Sequence, residues 1–192
     1  MTLSKHSLLR ALFAIALLFS TLSASYSQQV SNEVPPLRER MFFGGNFWLS
    51  FGTITDIQIA PVVGLWVLPR VAVAVGPNFR YYKDQYDETN IYGIKGYLQY
   101  VLLKDLNNLV PLGVHTGIFF HLEDEVLNLE SSFWQYDPVE TERFTINTLL
   151  IGGGISQQLG RRSAMNFMVL WALNDSGYGV YSNPEIRISF NF

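Results

Sequence analysis

His115 and His121 are the residues best suited to general acid–base chemistry, because an imidazole titrates near neutral pH. They share one face of an alternating run over residues 112–122, but six residues at about 3.3 Å each set them roughly 20 Å apart, too far to hold one metal ion. Either would need a partner from another segment to act as a general base, and Ser131, Ser132 and Ser176 are the hydroxyls near enough in the chain to be tried. Glu123, Asp124, Glu125, Glu130, Asp137, Glu140 and Glu142 then crowd a stretch that also holds Leu127, Leu129, Phe133 and Trp134. Clustered carboxylates can bind a divalent cation, but this spacing matches no EF-hand loop, and a solvated loop over residues 123–142 is the simpler reading. Its aromatic residues suit a lid or a partner surface. Gly152, Gly153 and Gly154 lack the strand–turn–helix setting of a phosphate loop and read as strand curvature with room for a bulge.

A different set of charges stands isolated on faces otherwise made of small residues: Asp56, Arg80, Lys95, Glu185 and Arg187. Their meaning depends on the elements that carry them. From Met41 onward the chain divides into eight runs of period two, the signature of strands whose successive side chains point to opposite faces. Phe43, Phe47 and Leu49 oppose Gly44, Asn46 and Trp48 in the first, and Ile57, Ile59 and Val63 oppose Asp56, Gln58 and Ala60 in the second. Val73, Val75 and Phe79 oppose Ala74, Asn78 and Arg80 in the third, and Tyr92, Ile94 and Leu98 oppose Lys95, Tyr97 and Gln99 in the fourth. The fifth is the histidine run. In the sixth, over about residues 143–157, Phe144, Ile146 and Leu150 share one face while Leu149, Ile151 and Ile155 share the other, so its register stays open. Phe167, Val169 and Trp171 mark the outer face of the seventh. The eighth runs to the chain end, with Ile186, Ile188, Phe190 and Phe192 on one side and Glu185, Arg187, Ser189 and Asn191 on the other.

Alternation fits soluble and membrane barrels alike, and the faces separate them. The bulky Val, Ile, Leu and Phe side chains are too large for the lumen of about eight strands, whereas the Gly, Ala, Ser and Asn face with its few charges fits it. The expected fold is therefore all-β, an antiparallel up-and-down transmembrane β-barrel of about eight strands over residues 41–192. No run of about 18 apolar residues follows the N-terminal stretch, which leaves strands as the only spanning elements. Inside so narrow a lumen an unpaired charge is costly, so Asp56, Arg80, Lys95, Glu185 and Arg187 should meet in one network. An ionic plug is the plainer reading of that network, and a gated pore the alternative.

Residues 1–27 have the order of a secretory signal, with Lys5 and Arg10 before an apolar stretch and small residues after it. Residues 28–40, with Pro35 and Pro36, form a short periplasmic lead. The 192 residues suit one domain, contain no Cys for a disulfide framework, and carry a net charge of −3, which disfavours a nucleic-acid partner. Connections after the second, fourth and sixth strands are expected to be the short, periplasmic ones.

The alternating final strand with its terminal Phe192 resembles the C-terminal strand of outer-membrane β-barrel proteins, and residues 41–192 as a whole resemble the small eight-stranded family typified by the OmpA transmembrane domain. The resemblance implies a place in the outer membrane of a Gram-negative bacterium, both termini periplasmic. It also implies contact with outer-membrane lipid and lipopolysaccharide, and Phe190 and Phe192 read by the barrel-insertion machinery. Its implied roles are non-enzymatic: envelope integrity, surface contact through the external loops, or service to a larger secretion or uptake assembly, with no cofactor. Two other roles stay in view, a narrow channel and a lipid-modifying enzyme of the lipid A acyltransferase or deacylase type, although no motif of those enzymes is present.

Overall fold

The computed structural model of the chain describes residues 35–108, 115–134, 143–160, 162–174, 177–181 and 183–192. The alternating runs become β1 (Met41–Ser50), β2 (Thr55–Leu68), β3 (Val71–Lys83), β4 (Glu88–Leu103), β5 (Thr116–Glu130), β6 (Arg143–Gln158), β7 (Ala164–Ala172) and β8 (Glu185–Asn191). Each pairs antiparallel with its neighbour in sequence, and β8 pairs with β1 to close one barrel. One helical turn, α1 (Leu37–Arg40), completes the lead, and another, α2 (Ser131–Trp134), follows β5. The expected signal segment, residues 1–27, lies outside the described residues.

Closure depends on the chain end. Gly44, Gly45 and Asn46 face Asn191, Phe190 and Ser189, and Phe43 and Phe192 exchange backbone hydrogen bonds of 3.1 and 2.7 Å. These bonds give the terminal residue the partner that a free end lacks. Phe190 also stacks on Phe47 with ring centroids 5.8 Å apart. Past Asn46 and Ser189 the ladder stops, although β1 continues to Ser50 along β2 and β8 begins at Glu185 along β7.

The faces follow the period. Phe43, Ile59, Val75, Ile94 and Phe167 stand exposed around the outside, while Ala60, Ala74, Asn78, Lys95 and Arg187 are buried within. The exterior is thus more apolar than the surface of a water-soluble protein.

Two strands depart from the sequence reading. β5 does not end near Leu122: it runs to Glu130, so Glu123, Asp124, Glu125 and Glu130 are strand residues, and the connection shrinks to residues 131–142. Glu123 and Glu125 keep the inward parity of His121, while Asp124 points out. A run of carboxylates reads as solvated loop, but opposing cations across a lumen make it compatible with a strand. β5 also starts at Thr116, which makes the connection after β4 span residues 104–115, as long as the one over residues 131–142. The expectation of a short connection there is therefore wrong, and its members Leu112, Gly113 and Val114 lie outside the described residues.

In β6 the inward face is Ile146, Thr148 and Leu150. The glycine triplet contains no bulge, since β6 pairs in unbroken register with both β5 and β7. Gly152 and Gly154 sit opposite His121 and Phe119. A Cβ there would come within 2.0 Å of the Val169 carbonyl oxygen at Gly152 and 2.1 Å of that of Phe167 at Gly154, so the wall curves too tightly for any side chain.

We call the rim where β1 begins and β8 ends proximal, and the opposite rim distal. The distal end is capped from within: Val180 and Tyr181, from the β7–β8 connection, are buried against Ile91, Leu127, Leu129, Ile146 and Leu170. The lumen is therefore apolar above and ionic at mid-height. The proximal end opens into a vestibule of about 800 Å³ that reaches inward to Phe119, Gln99 and Asn166.

Candidate functional site

The mid-lumen charges arise where inward parity and burial coincide. β4 carries Lys95 on its inward face, directly across the ladder from Glu125 of β5, with Tyr97 across from Glu123 and Gln99 across from His121. β8 brings Arg187 from the far side of the barrel. Its Nη1 donates to Glu125 at 2.9 Å and to Glu123, and its Nε donates to Glu185 at 2.5 Å. Lys95 Nζ lies 3.3 Å from Glu123 and also donates to Asn46. His121 Nε2 is 3.2 Å from Glu123, and the Tyr181 hydroxyl donates to Glu125 at 2.6 Å. Arg187 is only 4% exposed and Glu125 is 0% exposed, so water hardly screens the contact between them. A void of about 10 Å³ lies beside Lys95, His121, Glu123 and Arg187.

Nearer the distal rim, Arg80 grips Asp56 with two hydrogen bonds of 2.8 Å, and its Nη1 donates to the Val180 carbonyl at 2.9 Å. This fork geometry fixes two strands and the capping connection at once. Gln58 donates to Asn78 at 2.9 Å beside it.

The five charges read from sequence therefore all face inward, yet they do not form one network. Asp56 meets Arg80 and Glu185 meets Arg187, but Lys95 pairs with neither Asp56 nor Glu185. Among the described residues, no ion pair joins the Asp56–Arg80 pair to the Arg187 cluster. Sequence reasoning missed Glu123 and Glu125, the anions on which Lys95 and Arg187 converge. Charge balance was the available signal: Arg80, Lys95 and Arg187 outnumber Asp56 and Glu185, and a dry lumen does not leave a cation unmatched.

The histidines separate as expected. His115 precedes β5 at the proximal rim, exposed, with Nδ1 2.7 Å from Asp105 Oδ2, while His121 is buried in the ion cluster. That hydrogen bond holds the Asp105 carboxyl below its ordinary pKa, aided by the Asn107 backbone N–H. Asp84, in the β3–β4 turn, is lowered in the same way by the backbone N–H groups of Asp87 and Tyr86. Ser131 is buried at the start of α2, and Ser176 lies outside the described residues. Among the described residues no serine hydroxyl is hydrogen-bonded to either histidine, and no three His, Asp or Glu side chains gather as a metal shell. Of the acidic stretch, Asp137, Glu140 and Glu142 lie outside the described residues. Phe133 and Trp134 pack on Tyr82 at 5.8 and 5.9 Å, forming an aromatic cluster on the distal cap.

Phe190 and Phe192 take the outward positions predicted for them, one stacked on β1 and the other bonded to it through its backbone. No protein-family model matches the chain, and no curated protein is similar to it.

Proposed function

We propose that the chain is an outer-membrane β-barrel of a Gram-negative bacterium, non-enzymatic and non-conducting, that serves the cell envelope through its embedded wall and its distal cap. The observation that carries this reading is the apolar exterior of the barrel: large side chains such as Phe43 (60% exposed) and Ile59 (55% exposed) cover the outside, while Lys95 and Arg187 are buried within. Water would penalise that exterior, and hydrocarbon favours it. A closed barrel also leaves no strand edge to be satisfied over most of its circumference.

The proximal rim, where β1 begins and β8 ends, would face the periplasm, and the distal cap the exterior. Residues 1–27 would act as the export signal, and the final strand with Phe190 and Phe192 as the feature read by the insertion machinery. Lipid and lipopolysaccharide would surround the wall. The ion cluster acts as a plug: Arg187 crosses the lumen to Glu123 and Glu125, and the void of about 10 Å³ beside it is about the size of one water-sized sphere, too small for a hydrated ion. Tyr82, Phe133 and Trp134 offer the cap a place for a protein partner at the cell surface, or within a larger secretion or uptake assembly.

Two experiments test this. Fractionation should place the protein in the outer membrane with heat-modifiable migration on a gel, and a soluble product would contradict the reading. Purified barrel in planar bilayers should give no steady conductance. Discrete channel openings in the parent, at the same level in Lys95→Gln, would show a path that bypasses the plug.

A further inference from the structure

Asp124 stands exposed on the outer wall of the barrel, the ninth of the fifteen residues of β5. Apart from Asn147 and Gly96, its outward neighbours are apolar: Leu122 and Val126 along the strand, Leu149 directly across in β6, and Ile94 and Leu98 on either side of Gly96 in β4. An ionisable side chain set among lipid-facing residues is costly unless a partner satisfies it, so it marks a place of contact. Asn147 supplies half of what it needs, its Nδ2 donating to Asp124 Oδ1 at 2.9 Å. Among the described residues nothing engages Asp124 Oδ2 or the second N–H of that amide. Gly96, directly across the ladder from Asp124, leaves a notch beside the pair. The fold itself does not require glycine there. A Cβ at Gly93 of the same strand would come within 2.5 Å of the Val126 carbonyl oxygen, whereas at Gly96 the nearest atom is the Ala74 carbonyl oxygen at 3.7 Å, an ordinary contact. A strand glycine without a steric reason of its own is a place where another surface approaches closely.

We propose that the outer wall of β4, β5 and β6 is the interface of a two-fold dimer in the membrane, in which Asp124 Oδ2 of each copy accepts a hydrogen bond from Asn147 Nδ2 of the other and the Gly96 notch admits the facing wall. Two features select a second copy as the occupant. The pair offers one free acceptor and one free donor, so it is complementary to itself, as an isologous interface must be. Copies inserted by one route also share one orientation, so their two-fold axis runs along the membrane normal and brings equal depths together. Asp124 and Asn147, already hydrogen-bonded, lie at one depth. Lipid gives membrane-spanning segments no hydrophobic reason to associate, and polar hydrogen bonds with close approach at small residues take its place. The interface rests on the membrane reading above and adds to it a partner and a particular face.

The test uses the full barrel in vesicles of phosphatidylethanolamine and phosphatidylglycerol. The chain has no Cys, so Gln85→Cys, exposed in the β3–β4 turn, accepts a donor or an acceptor dye. Energy transfer between mixed barrels should be present at high protein-to-lipid ratio and fall on dilution with lipid. In this background Asp124→Leu should move the curve about tenfold toward dissociation, the effect of losing two hydrogen bonds of modest strength. Gly96→Leu should do the same by filling the notch. Both changes put an apolar side chain on an apolar wall, so insertion should match the parent. Asp124→Asn, which keeps an acceptor, should restore most of the association.

Cross-linking locates the face without touching the polar pair. Leu149→Cys, beside Asp124 on the outer wall, should give a disulfide-linked dimer on oxidation, while Val73→Cys, on the outer face of β3, should not. Energy transfer no greater than random proximity in the parent would overturn the interface. An unchanged curve in either Asp124→Leu or Gly96→Leu, or equal cross-linking at the two cysteine positions, would overturn it too. A parent that fails to insert into vesicles would refute the membrane reading and the interface with it, whereas insertion as a monomer refutes the interface alone.

Discussion

The β5–β6 wall and the β8–β1 seam share one alternating pattern and differ in how they are held. The wall pairs without interruption from Thr116 with Gln157 to Glu130 with Arg143, while the seam pairs only Gly44, Gly45 and Asn46 with Asn191, Phe190 and Ser189. Ladder hydrogen bonds secure the wall. The seam relies on its chain end and on a side chain: Arg187 leaves β8, crosses the lumen and ends on Glu123 and Glu125 of β5. The ion cluster therefore does more than fill space. It ties the weakest junction of the barrel to the strongest.

The largest effect should come from breaking the seam at its end. Changing Phe190 and Phe192 together to Ser removes the ring stacked on Phe47 and the terminal apolar anchor, and we expect no heat-modifiable folded species. Asn191→Ser, on the inner face of the same strand, should fold.

Next comes the tie. Arg187→Met leaves Glu123 and Glu125 buried with Lys95 as their remaining cation, and should destabilise the barrel by about 3–5 kcal/mol in urea unfolding. Adding Glu125→Gln should recover part of that loss, because one uncompensated charge disappears. No recovery would show that Arg187 acts through packing alone.

A wall position gives a smaller, depth-dependent effect. Val73 and Leu98 are direct partners on the outside, and Val73→Arg should cost about 2–4 kcal/mol if it meets the hydrocarbon midplane. Gln85→Arg, in the β3–β4 turn, should cost almost nothing. Equal tolerance at the two positions would reverse the inside–outside assignment.

The smallest effect belongs to the proximal rim. The carboxyl of Asp105 is lowered in the folded state by His115, so its contribution is present above the unfolded carboxyl value of about 3.9 and is lost as pH falls through the lowered folded value. Asp105→Asn should flatten the acid limb of a stability-against-pH curve slightly, by lowering stability a little near neutral pH and leaving it unchanged at the acid end, where the carboxyl is protonated in both states.

Much of this was legible in the sequence, because period two assigns faces without knowledge of neighbours. Phe43, Ile59, Val75, Ile94 and Phe167 fell on the outside by parity alone. Closure was legible too, since a strand that reaches Phe192 needs a partner. Three features depended on other parts of the fold. The Glu123 and Glu125 carboxylates become strand residues only because Lys95 and Arg187 arrive from β4 and β8. Ile146 and Leu150 can face inward because the β7–β8 connection folds into the barrel and covers them with Val180 and Tyr181. Gly152 and Gly154 mark close backbone approach rather than a bulge, which requires knowing what lies on β7. The gap between β1 and β8 had no signal in the alternation, for both strands keep their period through it.

The central claim is that this barrel wears its apolar side outward into lipid, and tryptophan fluorescence tests it most directly. Trp171 stands on the outer face and Trp66 faces the lumen against Phe42. In vesicles containing brominated lipid, a variant keeping only Trp171, with Trp48, Trp66 and Trp134 changed to Phe, should be strongly quenched. A variant keeping only Trp66 should be quenched weakly. Quenching of Trp171 by aqueous iodide, with no response to brominated lipid, would place the apolar belt in water and contradict the account.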